Sequence, residues 1–151
     1  MDIAILVDTS KSMTETQRGT LTTLIDRLID KYPVSAKGNH YAFVTFDRYA
    51  KIRNKFNNRG RYNKTILNDL IKTKVRISKG LKWGTRSDIA LYLGAKELFA
   101  IEGGDRADAK NILLVFTDGL QRIARRDKVP FKDFSNSTKK LEVSHYFLDY
   151  Y

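Results

Sequence analysis

Two short apolar runs constrain this chain more than any other feature: Ile3-Ala4-Ile5-Leu6-Val7 and Ile112-Leu113-Leu114-Val115-Phe116. Both are continuous rather than alternating, and the first is rich in β-branched residues. A run of that length and kind reads as a strand buried on both faces, the signature of a parallel sheet covered by helices. Each run breaks into a polar loop that carries an aspartate, Asp8-Thr9-Ser10-Lys11-Ser12 after the first and Thr117-Asp118-Gly119 after the second. Neither approaches the about 20 apolar residues that span a bilayer, so no membrane insertion is expected.

The chain between these runs alternates in period. Leu21, Leu24, Ile25, Leu28, Ile29 and Tyr32 form an amphipathic stripe that stops at Pro33, and Ser12-x-x-Glu15 has the form of a capping box at the start of that helix. Tyr41 to Phe46 reads as a second strand, joined through Asp47-Arg48-Tyr49 to a short antiparallel edge strand, Ala50 to Phe56. Asn63 precedes a short helix with Ile66, Leu67, Leu70 and Ile71 on one side. Thr85 to about Ile101 reads as a longer helix, apolar nearly all round and suited to lie flat on a sheet. Asn111 to Phe116 is a further strand, Pro130 opens another helix, and Val143 to Leu148 closes the series as a strand. His40 and His145 read as strand residues. The expected fold is α/β: a Rossmann-like, doubly wound, mainly parallel sheet with one short antiparallel edge strand and helices on both faces. With 151 residues the chain is expected to form a single domain, 1–151.

Charge bears on partners rather than on fold. Lys and Arg number 28 against 17 Asp and Glu, a formal net charge of +11, which favours association with polyanions. The absence of cysteine excludes a disulfide framework, Cys-based zinc sites and thiol catalysis. The N-terminus runs directly into a strand without a signal-peptide pattern, so the expectation is either a cytoplasmic protein or a piece of a secreted one. Asn63-Lys64-Thr65 and Asn136-Ser137-Thr138 fit the N-glycosylation acceptor pattern, which matters in the secreted case.

In an open α/β sheet the binding crevice lies beyond the carboxyl ends of the strands. That rule brings Asp8 and Asp118 to one rim, together with the hydroxyls of Ser10 and Ser12. Hard oxygen donors of this kind suit Mg²⁺, Mn²⁺ or Ca²⁺. Alternate residues of a tight loop turn toward one point, so Asp8, Ser10 and Ser12 can share a cation while Thr9 and Lys11 face away. The competing reading is purely structural: the serines cap the following helix, Asp8 accepts backbone N–H bonds, Thr85 caps its helix with Asp88, and Asp118-Gly119 is a plain turn.

Taken together, Asp8-x-Ser10-x-Ser12, then Gly84-Thr85 opening a long helix, then an apolar strand ending in Thr117-Asp118-Gly119, resemble the metal-ion-dependent adhesion site of von Willebrand factor type A domains. The resemblance is to the adhesion and extracellular-matrix type. It covers Asp2 to about Gly119, with Phe43 to Asp47 and the stretch Gly84 to Leu91 included. It implies that Ser10 and Ser12 bind the metal directly, Thr85 directly or through water, and Asp8 and Asp118 mainly through water. The remaining position would be left for a Glu or Asp of a protein partner, for which a collagen-like or other matrix protein is the expected class. Lys11, Lys82, Arg86 and Arg122 would then stand near the rim and steer an acidic ligand, with Trp83 and Gly119 as further contacts.

The family fold continues past its fifth strand to a sixth strand and a closing helix, so a C-terminally truncated or minimal domain is expected. The resemblance also implies an extracellular or cell-surface setting within a larger protein, with a cytoplasmic one as the alternative. An enzyme is not expected: a phosphohydrolase using Asp8 as nucleophile needs a second carboxylate at position 10, which is Ser. No Gly-x-x-x-x-Gly-Lys loop occurs either. The alternative function is binding of acidic polysaccharide, or less favourably nucleic acid, through Lys51, Arg53, Lys55, Arg59, Arg61 and Lys64.

Overall fold

The computed structural model describes residues 1–58, 62–76, 84–118 and 142–147, the last strand and residue 76 by backbone alone. Five strands form one sheet: β1 (Asp2–Asp8), β2 (His40–Phe46), β3 (Ala50–Asn54), β4 (Asn111–Thr117) and β5 (Glu142–Phe147), in the order β3-β2-β1-β4-β5. β1 runs parallel to both β2 and β4, and β4 runs parallel to β5. Only β3 is antiparallel, pairing with β2 at the edge. This is the expected mainly parallel sheet with one short antiparallel edge strand. β1, buried along its whole length, lies at its centre.

The alternation of side chains along β1 divides the core into two layers. Ile3, Ile5 and Val7 pack against Leu21, Ile25 and Ile29 of α1 (Glu15–Lys31) and Leu67 and Ile71 of α2 (Lys64–Ile71). Ala4 and Leu6 face the other way, onto Ala90 of α3 (Ser87–Leu93) and Leu98. Helices therefore cover both faces, as continuous rather than alternating strand hydrophobicity requires.

Three local expectations are corrected. α1 is capped by Thr14, not by Ser12. The Thr14 hydroxyl accepts from Gln17 N and the Gln17 side chain accepts from Thr14 N, so the capping box lies two residues beyond Ser12-x-x-Glu15. The single helix expected over Thr85 to Ile101 is α3 followed by a π-helical stretch, Gly94–Leu98, and a separate 3₁₀ turn, Ile101–Gly103. Within the amphipathic stripe, Leu24 and Tyr32 remain well exposed. They border an apolar groove with Met1, Ile3, Leu28 and Ile112 on the α1 face of the sheet. The helix expected from Pro130, the glycosylation pattern at 136–138, and Arg59 and Arg61 lie outside the described residues. Among the described residues no helix is long and apolar enough to cross a membrane.

The end of the sheet opposite the polar loops is closed by an ion pair. Asp2, fully buried, receives Arg106 Nε at 2.9 Å and Nη2 at 2.7 Å on Oδ1, and Arg106 N at 2.9 Å on Oδ2. Arg106 Nη2 also donates to the Gly38 carbonyl at 2.7 Å. The loop before β4 is thereby tied to the start of β1 and to the turn before β2.

Candidate metal centre

The site begins at the carboxyl end of β1. Asp8 completes the strand and is fully buried. Its Oδ1 accepts from Ser10 N at 2.8 Å, an Asx turn that reverses the chain. Ser10 is buried as well, and its hydroxyl lies 2.8 Å from that of half-buried Ser12, so alternate residues of the loop do converge. Lys11 between them is exposed. Ser10 O accepts from Met13 N at 3.2 Å, and buried Met13 is held in turn by Arg18, whose Nη1 donates to the Met13 carbonyl. The Asp8–Ser12 loop is thus fixed from within and from the helix that follows. Neither serine caps α1.

β4 supplies the second wall. Val7 is level with Phe116, so the next pair along the two strands is Asp8 and Thr117. Thr117 Oγ1 donates to Asp8 Oδ2 at 2.9 Å. Asp118 follows immediately, half-buried, and its charge acts on Asp8. The sequence motif includes Thr117 without giving it a role. The signal that could have found it is the register of two equal-length strands ending together.

Burial is the main reason that the Asp8 carboxyl is pushed up to about 6, with the nearby Asp118 charge adding to it and the hydrogen bonds from Ser10 and Thr117 opposing it. Two carboxylates and two hydroxyls therefore meet at one strand end. Among the described residues no three acidic or histidine side chains gather into a metal-binding group, here or elsewhere, so any cation at this strand end would depend on hydroxyl and water oxygens beside the two carboxylates. A hydroxyl-rich oxygen set with few carboxylates fits a hard divalent ion, and a cation here would relieve the cost of ionising Asp8.

The segment that carries Thr85 is anchored beside the β1 loop, at the end of β2. Gly84, at φ +112°, turns the chain in a conformation that disfavours side chains, and Thr85 and Arg86 behind it are buried. Arg86 N donates to Asp47 O at 2.8 Å, while Thr9 N and Thr9 Oγ1 donate to Phe46 O at 2.7 and 3.2 Å. The two loops are thus fastened to successive carbonyls at the end of β2. Thr85 does not cap α3. The residue before that helix is Arg86, and no side chain caps it.

Arg86 itself overturns an expectation. Its side chain is 0 % exposed, and it forms a forked ion pair with Asp88, Nε to Oδ1 at 2.8 Å and Nη2 to Oδ2 at 2.7 Å. A guanidinium committed to an interior carboxylate is not available to steer a ligand. Lys64, one of the cations assigned to a polyanion surface, pairs with Asp30 and Asp26. Lys82, Trp83, Gly119 and Arg122 lie outside the described residues. At the rim the structure adds Arg48 and exposed Tyr49, the cation 5.8 Å from the ring centre, in the turn that also carries Asp47.

Known proteins share this architecture. Residues 2–144 match the model of the von Willebrand factor type A domain. The chain is 27 % identical over 122 residues to matrilin-3 of Mus musculus, covering 79 % of this chain and 24 % of that protein. Proximal thread matrix protein 1 of the mussel byssus superposes with a TM-score of 0.76 at 17 % identity, over 95 % of this chain and 36 % of that one. A further structure of the mussel protein has a zinc-occupied metal-ion-dependent adhesion site (TM-score 0.73, 18 % identity, 95 % and 37 % covered). The manganese-loaded TRAP protein of Plasmodium vivax gives a TM-score of 0.75 at 19 % identity, over 98 % of this chain and 57 % of that one. The chain thus spans about a quarter of the matrilin and less than two thirds of each solved protein. With the family match running over nearly its whole length and the sheet order and helix layers described above, this chain belongs to the von Willebrand factor type A domain family.

Proposed function

We propose that this domain is a protein-binding module of the adhesion and matrix type, in which a divalent cation held by Asp8, Ser10, Ser12, Thr85 and Asp118 receives a Glu or Asp side chain of the partner. The observation that carries this reading is the buried Asp8 carboxylate, with both oxygens hydrogen-bonded, beside the paired hydroxyls of Ser10 and Ser12 and the charge of Asp118. When bound, the cation would supply residual positive charge, because hydroxyl and water ligands neutralise little of it. Ser10 and Ser12 offer it oxygens without charge; Asp8 and Asp118 provide the negative charge that makes the rim attractive to it. Mg²⁺ is the first choice, with Mn²⁺ and Ca²⁺ as alternatives.

The role is binding rather than catalysis, and the setting is extracellular, as part of a larger matrix or surface protein. Support comes from the family membership and from the mussel matrix protein and the matrilin as relatives. The net charge of +11 favours acidic partners, and acidic polysaccharide is the second reading.

Titration calorimetry of Mg²⁺ and Mn²⁺ into chelator-stripped protein, with Ser12→Ala in parallel, tests the proposal. Saturable one-to-one binding that Ser12→Ala loses supports it. A folded protein that takes up neither ion overturns it and moves attention to polyanions, whose binding weakens steeply with salt and ignores chelator.

A further inference from the structure

Arg86 and Asp88 form a charged pair in the interior for which the cation site just proposed has no direct use. Arg86 is the largest fully buried side chain among the described residues, and Asp88 is 1 % exposed. Burying two charges rarely stabilises a fold beyond what two apolar side chains of the same volume would provide. A forked guanidinium–carboxylate contact does fix geometry, because both hydrogen bonds must be satisfied in one plane.

What it fixes is the segment that carries Thr85. Arg86 stands at the last position before α3, at φ −98° and ψ 65°, outside helical geometry and without a side-chain cap. Its backbone N–H is committed to the Asp47 carbonyl, and its side chain is folded forward onto Asp88 in the first turn of α3. Gly84 on the other side adopts φ +112°. The turn is therefore held at β2 by its backbone and at α3 by its guanidinium, with Thr85 between the two anchors and its hydroxyl unused as a helix cap.

We infer that Arg86 and Asp88 are positioning residues whose ion pair sets the Gly84–Thr85–Arg86 turn, and through it the Thr85 hydroxyl, for the divalent cation. The inference rests on the cation reading above. Residues that orient metal ligands from behind typically change affinity by about 10- to 100-fold when altered.

Mn²⁺ titration and metal-free thermal unfolding of the whole chain test it. The double variant Arg86→Met with Asp88→Leu removes both charges together and leaves neither one buried alone. It is expected to keep the metal-free melting temperature and to bind Mn²⁺ at least about tenfold more weakly. In a Thr85→Ala background the same double substitution is expected to cost no further affinity, a non-additivity that a merely structural pair would not produce. A folded double variant with wild-type Mn²⁺ affinity overturns the inference and leaves the cation site standing. Should that variant fail to fold, Arg86→Lys decides, since it keeps the charge and loses the fork: weaker Mn²⁺ binding supports the inference and unchanged binding overturns it. Absence of Mn²⁺ binding by the wild-type protein overturns both readings.

Discussion

The Thr117 hydroxyl donates to Asp8 Oδ2 at 2.9 Å, joining the carboxyl ends of β4 and β1 at the point where both strands give way to loops. It is one of the contacts that hold the buried carboxyl nearer its ionised form. Thr117→Val keeps the shape and removes the donor. The expected cost is about 1–3 kcal/mol of stability, read from urea unfolding, because a buried acceptor loses a partner. Mn²⁺ affinity at pH 7 should fall several-fold as well. Unchanged stability and affinity together would show that this contact does not support the carboxylate.

The displaced titration of Asp8 gives a pH dependence of defined sign. In the folded protein the carboxyl sits at about 6, above its ordinary 3.8, so the native state holds this proton more tightly than the unfolded chain does. Its contribution to stability is therefore most favourable below about pH 4 and declines as pH rises through 4 to 6. Above that window the ionised group costs about 3 kcal/mol. Asp8→Asn removes this term while retaining an acceptor for Ser10 N. Without metal, the variant should be more stable than wild type at pH 7 by up to that amount, and the gap should close toward pH 4. Mn²⁺ should raise the melting temperature of the wild type only. A gap that is flat between pH 4 and 7 would contradict the assignment.

Much of this architecture is legible in the sequence itself. Ile3–Val7 and Ile112–Phe116 read as strands buried on both faces, and the alternation of helices and strands between them implies a doubly wound sheet. The convergence of Ser10 and Ser12 followed from their spacing. The errors arose where side chains of one type had two uses. Ser12 and Thr14 are both capable caps, and Thr14 takes the role because Gln17 completes its box while Ser12 turns to Ser10. Arg86 is expected at the rim because the resemblance puts its segment there, yet Asp88 two residues on provides the partner that makes its burial tolerable. The expected long helix changes from α to π hydrogen bonding at Gly94 and leaves helical geometry at Phe99, a distinction that hydrophobic periodicity does not report.

Arg106 carries the corresponding test at the opposite end of the sheet. Arg106→Ala would strand the Asp2 carboxylate, fully buried, without its guanidinium and would release the Gly38 carbonyl. Removing one partner of a buried pair typically costs about 3–5 kcal/mol. Arg106 is partly exposed, so the lower part of that range is expected by chemical denaturation. Combining Arg106→Ala with Asp2→Asn should recover part of the loss. A double variant no better than Arg106→Ala alone would mean that the guanidinium acts through the Met1 and Gly38 carbonyls instead.

Two glycines at the end of the α3 layer should respond differently to the same added methyl group. A Cβ at Gly94 would meet Leu113 Cδ1 at 3.1 Å and Leu6 Cδ1 at 3.5 Å. These are the tips of flexible side chains that can give by a few tenths of an ångström, and alanine gains about 1 kcal/mol over glycine in a helical position. Gly94→Ala should therefore lie within about 1 kcal/mol of wild type. A Cβ at Gly103 would lie 2.2 Å from the carbonyl oxygens of both Glu97 and Leu98, which are backbone atoms of the π-helical stretch and its end. Nothing there can move without unwinding that turn, so Gly103→Ala should cost about 3 kcal/mol, comparable with severe overpacking of a core. Thermal unfolding of the two variants side by side measures the contrast. Equal losses would mean that the Gly94–Leu98 stretch does not seat on Leu6 and Leu113 as described, and that the layer carrying Thr85 is held by its loop anchors alone.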